Sequence, residues 1–180
     1  MYCYRCGSKM NGKSPWRCVS CGNIVWKNPR CCTGILILKK SNILLVKRKI
    51  SPWKDYWDIP GGYCEANESL EECALREAQE EIGKTIKIES LWKSYNYKIN
   101  SEFYGDNICI FFLASIEGFE DVSDFKENNE ISSVKWFDLK HLPYNIAFPQ
   151  TTKRVLKEIL LIEGYERKEE NSGTKGNYIG

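Results

Sequence analysis

The residues best placed to do chemistry lie in one stretch, PGGYCEANESLEECALREAQEEIG, from Pro60 to Gly83. It opens on a glycine loop. Ser69 then stands as an N-cap with Glu72 as its reciprocal partner three residues on, and Gly83 is a natural C′ residue, so the spacing predicts one helix from Ser69 to Ile82. At about 100° per residue, Leu70, Cys73, Ala74, Leu75, Ala78 and Ile82 form one apolar arc, while Glu68, Glu72, Arg76 and Gln79 lie opposite it. Glu77 and Glu81 fall inside the arc, with Glu80 at its edge. A Glu-rich helix is often just a solvated face. Carboxylates in line with a buried stripe, however, are desolvated and repel one another at i, i+3 and i+4 unless a cation compensates them. Oxygen ligands with no His or Cys cluster beside them select Mg²⁺ or Mn²⁺ over zinc, and such ions bind through a few carboxylates plus substrate phosphates.

A second set of ligands lies upstream. Cys3-x2-Cys6 and Cys18-x2-Cys21 are two CxxC knuckles, each followed by a glycine, Gly7 and Gly22. This closed four-cysteine pattern predicts one tetrahedral structural Zn²⁺, with a redox pair or disulfides as the alternative. Residues 1–28 hold too little apolar material to fold without such an ion and are expected to form a zinc ribbon. The other cysteines, Cys31, Cys32, Cys64, Cys73 and Cys109, are expected to be small buried apolar groups.

The spacing of the first stretch resembles the signature box of the Nudix hydrolases, GX5EX7REUXEEXGU with U a bulky aliphatic residue. Gly62, Glu68, Arg76, Glu77, Glu80, Glu81 and Gly83 match its fixed positions, whereas Ala78 and Lys84 occupy two U positions. The resemblance implies that the Gly61 carbonyl, Glu80 and Glu81 hold divalent metal, with Glu77 either a further ligand or the general base. It implies that Arg76 and Glu68 pair to orient the loop against the helix. Family members often carry another Glu, sometimes the base, on a loop after the box; Glu127 and Glu130 are the candidates, Glu130 preferred. Together with the ribbon, the chain is similar to the NADH pyrophosphatase-like and ADP-ribose pyrophosphatase-like branch. The fold implied is α/β: an α/β/α sandwich around a mixed sheet over residues 29–165, preceded by the ribbon.

The elements that must position these groups are legible in outline. CCTGILILKK and NILLVKRK, separated by Lys40-Ser41-Asn42, read as a hairpin, and Trp57-Asp58-Ile59 as a brief strand feeding Pro60-Gly61-Gly62. Thr85–Ile99, Asn107–Ile116 and Ile131–Phe137 read as strands. An amphipathic helix carrying Leu156, Ile159 and Leu160 follows Thr151-Thr152 and is expected to end near Glu163-Gly164, and the polar residues 166–180 to form a disordered tail.

Composition narrows the class. The 180 residues are 42% hydrophobic with net charge +2, enough for a core. No apolar run is long enough to span a membrane and no signal-peptide pattern is present, so a cytoplasmic protein is expected. Twelve Lys or Arg and no acidic residue occur up to Lys54, while the remainder carries fourteen basic against twenty-four acidic residues. A basic first third beside an acidic metal site suggests a polyanionic ligand. Arg48 could meet substrate phosphate or be a solvated strand end, and Gly62 and Trp57 are further substrate contacts. Trp53, Tyr56, Trp57 and Trp92 could stack an adenine or belong to the core. His141 reads as a surface residue.

The reaction expected is metal-dependent hydrolysis of a phosphoanhydride in a nucleoside diphosphate linked to another moiety. The SQPWPFPxS array of NADH pyrophosphatases is absent, Phe148-Pro149-Gln150 being the nearest fragment. That favours ADP-ribose, a nucleotide sugar, FAD or another dinucleotide. Two other classes remain: hydrolysis of RNA caps, with Arg5, Lys9, Lys13, Arg17, Lys27, Arg30, Trp16 and Trp26 holding RNA, and a nucleotide sensor without turnover. The ribbon could equally dock or make a homodimer.

Overall fold

The computed structural model describes residues 1–12, 14–26, 28–98, 106–118 and 121–172. Lys13, Lys27, Ile99 and residues 173–180, which figure in the sequence reading, lie outside the described residues. At the N-terminus, β1 (Trp16–Arg17) and β2 (Ile24–Val25) form a two-stranded antiparallel sheet. Its core is little more than sulfur: Cys3, Met10 and Cys18 are buried, with Trp16, Cys21 and Val25 packed against them.

The rest is a six-stranded mixed sheet between two helices. Its strands are β3 (Arg30–Lys39), β4 (Asn42–Arg48), β5 (Trp57–Asp58), β6 (Ile86–Lys98), β7 (Asp106–Ile116) and β8 (Ile131–Asp138), in the order β5-β4-β3-β7-β6 with β8 paired to β4. α1 (Leu70–Glu81) covers one face and α2 (Thr152–Ser172) the other. β3 and β4 are buried on both sides and so read as near-continuous apolar runs. Ile35, Ile37, Leu44 and Val46 pack with Ala74, Ala78 and Ile82 of α1, while Leu36, Ile43 and Leu45 pack with Val155, Leu156 and Ile159 of α2. The expected α/β/α sandwich is thus the fold.

The expected hairpin is only partly a hairpin. β3 and β4 pair at Leu38↔Ile43 and Lys39↔Asn42. Below that they part: β3 runs parallel to β7 from Arg30↔Asn107 to Ile37↔Ala114, and β4 runs antiparallel to β5 and β8. The glycine loop occupies the opening, taking up the edge of β3 through Ile35 N–H to the Pro60 carbonyl (2.8 Å) and Thr33 N–H to the Gly62 carbonyl (2.9 Å). This split places the loop over the sheet, facing α1.

α1 has the ends its sequence requires. The Ser69 hydroxyl accepts from Glu72 N–H and the Glu72 carboxylate accepts from Ser69 N–H, a capping box, and Ile82 is the C-cap. Such a cap is worth about 1 kcal/mol. Leu75, assigned to the apolar arc, is exposed instead, while Arg76, assigned to the opposite side, is half-buried. α2 continues through Gly164 to Ser172 instead of ending at Glu163-Gly164, and so runs into the segment expected as a tail. Among the described residues no helix is long and apolar enough to cross a membrane.

Candidate active site

A cavity of about 550 Å³ opens between the glycine loop, α1 and the start of α2. Its floor is acidic because α1 buries two glutamates that its apolar neighbours would otherwise exclude. Glu77 and Glu81 are 8% and 6% exposed. Burial pushes both carboxyls above the usual range, and for Glu81 well above it. The Gly61 N–H, donating to Glu81 Oε2 at 2.8 Å, partly offsets that cost, whereas the charges of Glu77 and Asp58 add to it. At Glu77 the Arg76 guanidinium opposes burial, and Glu80 and Glu130 reinforce it. Buried carboxylates raised by desolvation and by one another have an unmet demand for positive charge, the chemistry of a divalent-cation site.

Arg76 organises the wall. Its Nε and Nη2 donate to Glu68 Oε2 and Oε1 at 3.1 and 2.9 Å, a fork that holds the Glu68 carboxyl down at about 2. Nη1 reaches Glu77 at 2.9 Å and Glu80 at 3.0 Å, and Nη2 also donates to the Tyr63 carbonyl at 3.0 Å. One side chain therefore fixes the loop, the helix start and two carboxylates relative to each other. The loop must be glycine here: a Cβ on Gly61, whose φ is 143°, would strike the Thr33 carbonyl, and one on Gly62 would strike the Glu77 carboxylate.

A model of the NUDIX domain matches residues 29–159. An ADP-ribose pyrophosphatase of Methanocaldococcus jannaschii is 31% identical over 136 residues, 76% of each chain. The chain belongs to the Nudix family. An NAD-capped RNA hydrolase NudC of Stutzerimonas stutzeri is 29% identical over 93% of this chain, which spans only 58% of that protein. A Nudix hydrolase of Nitrosomonas europaea superposes with a TM-score of 0.70 at 25% identity, over 99% of this chain and 97% of that one.

Within the Nudix fold, the cavity walls gather Gly61, Gly62, Arg76, Glu77, Glu80, Glu81, Arg48 and Glu130, with Glu68 held behind Arg76. Glu127 instead pairs with Lys49 at 2.6 Å, on the surface. Arg48 is not a solvated strand end: its side chain is 15% exposed, its Nε donates to the Pro52 carbonyl at 2.9 Å, and its guanidinium lies 5.1 Å from the centre of the Phe148 ring. Trp57, expected against the substrate, is core; it packs edge-on to Phe137 at 4.6 Å and does not line the cavity. Trp92 packs on the same core cluster, and His141 is on the surface as expected. Of the two departures from the box, Ala78 is fully buried under the sheet and Lys84 pairs with Asp124 at 2.8 Å.

Sequence reasoning missed Asp58. It is buried in the cavity wall, accepts from Thr152 Oγ1 at 2.7 Å, lies 3.5 Å from Arg48 Nη1, and is pushed up to about 6 by burial. The available signal was the one used for Glu77, a carboxylate inside an apolar run, here Trp57-Asp58-Ile59. Phe148 and Tyr97, which line the aromatic end, carry no local signal because only the tertiary fold brings the segment before α2 against β6.

In the ribbon the four sulfurs of Cys3, Cys6, Cys18 and Cys21 lie within 4.8 Å of one another. The Cys3–Cys21 and Cys6–Cys18 separations are 3.7 and 3.5 Å, close to the edge of about 3.8 Å that a tetrahedron with metal–sulfur bonds of about 2.3 Å requires.

Proposed function

We propose that this Nudix hydrolase cleaves the phosphoanhydride bond of a nucleoside diphosphate joined to a second moiety, with ADP-ribose the favoured substrate. The observation that carries the reading is the pair of buried, mutually repelling carboxylates, Glu77 and Glu81, turned into a cavity large enough for such a ligand. Glu77, Glu80, Glu81 and the Gly61 carbonyl would hold Mg²⁺ or Mn²⁺, which when bound neutralises phosphate oxygens and lowers the pKa of a bound water. Arg76 holds Glu77 and Glu80 in register, and Glu68 anchors Arg76. Glu130 is exposed, lines the cavity and adds its charge at Glu77, which supports assigning it the role of base over Glu127. Arg48, backed by Asp58, is placed to meet phosphate, and Phe148 and Tyr97 offer aromatic surface to the nucleoside.

ADP-ribose is favoured because the relative of that name matches three quarters of both chains. The test is a panel of ADP-ribose, NADH, FAD and nucleotide sugars with Mg²⁺ or Mn²⁺, products resolved by chromatography. Fastest metal-dependent turnover of ADP-ribose is expected. If nothing on the panel is hydrolysed yet one member raises the melting temperature, the protein is a sensor. We assign the ribbon one structural Zn²⁺, and nine free cysteines suit a reducing cytoplasm.

A second reading, hydrolysis of capped RNA, is favoured by one observation: the ribbon exposes Tyr2, Tyr4 and Trp26 beside Arg5, Lys9 and Arg17. Steep loss of RNA binding with salt, together with cap cleavage, would support it.

A further inference from the structure

Cys64 and Cys73, expected as inert apolar groups, converge on Glu68. The two sulfurs and a carboxylate oxygen lie within 4.8 Å of one another. We propose that Cys64, Glu68 and Cys73 form a second metal site, for one thiophilic divalent ion such as Zn²⁺ or Cd²⁺, and that its occupation inhibits the enzyme through Arg76. The binding half of this stands on geometry alone; the inhibition half rests on the hydrolase reading.

The three ligands come from three anchored points. Cys64 N–H donates to the Cys31 carbonyl at 3.1 Å, which ties that residue to β3. The turn carrying Glu68 is closed by the Glu65 N–H on its carboxylate. Cys73 N–H donates to the Ser69 carbonyl at 3.0 Å in the first turn of α1. Bonds of about 2.3 Å to sulfur and about 2.1 Å to oxygen require the ligand atoms to close to under about 4 Å. Cys64 is half-buried and can supply that movement by a side-chain rotation, while Cys73 is buried and stays put.

Two sulfurs and one oxygen select a soft or borderline ion and disfavour Mg²⁺, so this site and the glutamates do not compete for the same metal. Cys64 also lines the cavity, which leaves a fourth position open to water or a phosphate oxygen. Charge is conserved: a divalent ion replaces two thiol protons, leaving the sum over both sulfurs, Glu68 and Arg76 unchanged.

The consequence runs through the guanidinium. Arg76 Nη2 is 3.6 Å from Cys73 Sγ and 2.9 Å from Glu68 Oε1, so an ion bound to both ligands competes with the guanidinium for both acceptors. The same guanidinium holds Glu77 and Glu80 through Nη1, and displacing it loosens that pair.

The experiment is a Cd²⁺ titration of the full chain in a thiol-free reductant with excess Mg²⁺, followed by near-ultraviolet thiolate-to-cadmium absorption and by elemental analysis. The parent should bind one more equivalent than Cys64→Ser or Cys64→Ala, a difference that holds even if Cd²⁺ exchanges into the ribbon, and Cys31→Ser should match the parent. Turnover of the parent should fall at least tenfold with Cd²⁺ and should not recover with further Mg²⁺, whereas each Cys64 variant should retain the rate it shows with Mg²⁺ and no Cd²⁺. Equal stoichiometry in parent and Cys64 variants overturns the site. Inhibition that Mg²⁺ relieves and that persists in the variants places the ion among the glutamates and overturns the route through Arg76. If the parent hydrolyses nothing, the absorption titration still decides the site.

Discussion

In the ribbon, Cys3 and Cys18 are buried and the four sulfurs face one another; in the cleft, Glu77 and Glu81 are buried at one side of an open chamber while Glu80 and Glu130 stand exposed at its mouth. Both arrangements concentrate negative ligands that the protein alone does not neutralise. In the ribbon the sulfurs are most of the core, so an ion held there would have folding as its main work. In the cleft a sheet of fully buried Ile, Leu and Val already holds the fold, so the carboxylates can be kept under electrostatic strain. The difference teaches that a site can be costly only where other burial covers the cost, each buried aliphatic side chain contributing about 1.5–3 kcal/mol.

The largest effect expected is on turnover. Glu81→Gln preserves shape and the bond from Gly61, and should lower kcat on the order of 10²- to 10⁴-fold. Because burial raises the Glu81 carboxyl, the metal-free variant should melt no lower than the parent, and higher if the relief of repulsion dominates. Loss of stability with unchanged turnover would erase the contrast between cleft and ribbon.

Removing metal from the ribbon should do the opposite. A structural zinc supplies about 10–16 kcal/mol of binding free energy at neutral pH, so a strong chelator should unfold residues 1–26. Amide exchange should speed up there and remain slow in β3, β4 and β7. A single cooperative transition that takes the whole chain with it would show that the two regions are not independent.

Arg48→Ala probes the cleft's positive side. Losing one charge-assisted contact, worth about 1.5–3 kcal/mol, should raise KM roughly tenfold or more while kcat changes little. Equal losses in kcat and kcat/KM would instead make Arg48 a transition-state contact.

The last effect sits behind it and shows only as a pH trend. The Asp58 carboxyl, at about 6 against an ordinary 3.8, favours the fold when protonated; that advantage is complete below about pH 4 and is lost as pH rises through about 6. In the metal-free protein, Asp58→Asn should gain on the parent on the order of 2 kcal/mol between pH 4 and pH 7, measured by denaturant unfolding at each pH. A pH-independent difference would mean that Arg48 already compensates Asp58 in full.

What could be read ahead of the structure was local. Ser69, Glu72 and Gly83 mark the ends of α1 because capping bonds span three or four residues, and β6, β7 and β8 came within about a residue of their observed ends because each is one uninterrupted pattern. The departures were tertiary. The amphipathic pattern after Thr152 does not say where α2 stops, and periodicity put Leu75 in the arc although no element covers it. Trp57 pairs with Lys47, the residue before Arg48, yet Trp57 faces the core and Arg48 the cavity.

By itself, then, the sequence determined the identity and spacing of the ligands: the CxxC knuckles, the box carboxylates and the helix that carries them, since each depends on contacts a few residues apart. Only the tertiary structure decided that β3 and β4 part to admit the glycine loop, that Glu130 lines the cavity while Glu127 pairs with Lys49, that Asp58 backs Arg48, and that Cys64 and Cys73 meet at Glu68. Those outcomes depend on which distant strands pair and on how one guanidinium divides its donors among Glu68, Glu77, Glu80, the Tyr63 carbonyl and Cys73. Neither leaves a periodic trace along the chain, because the free energies involved belong to burial and charge in three dimensions.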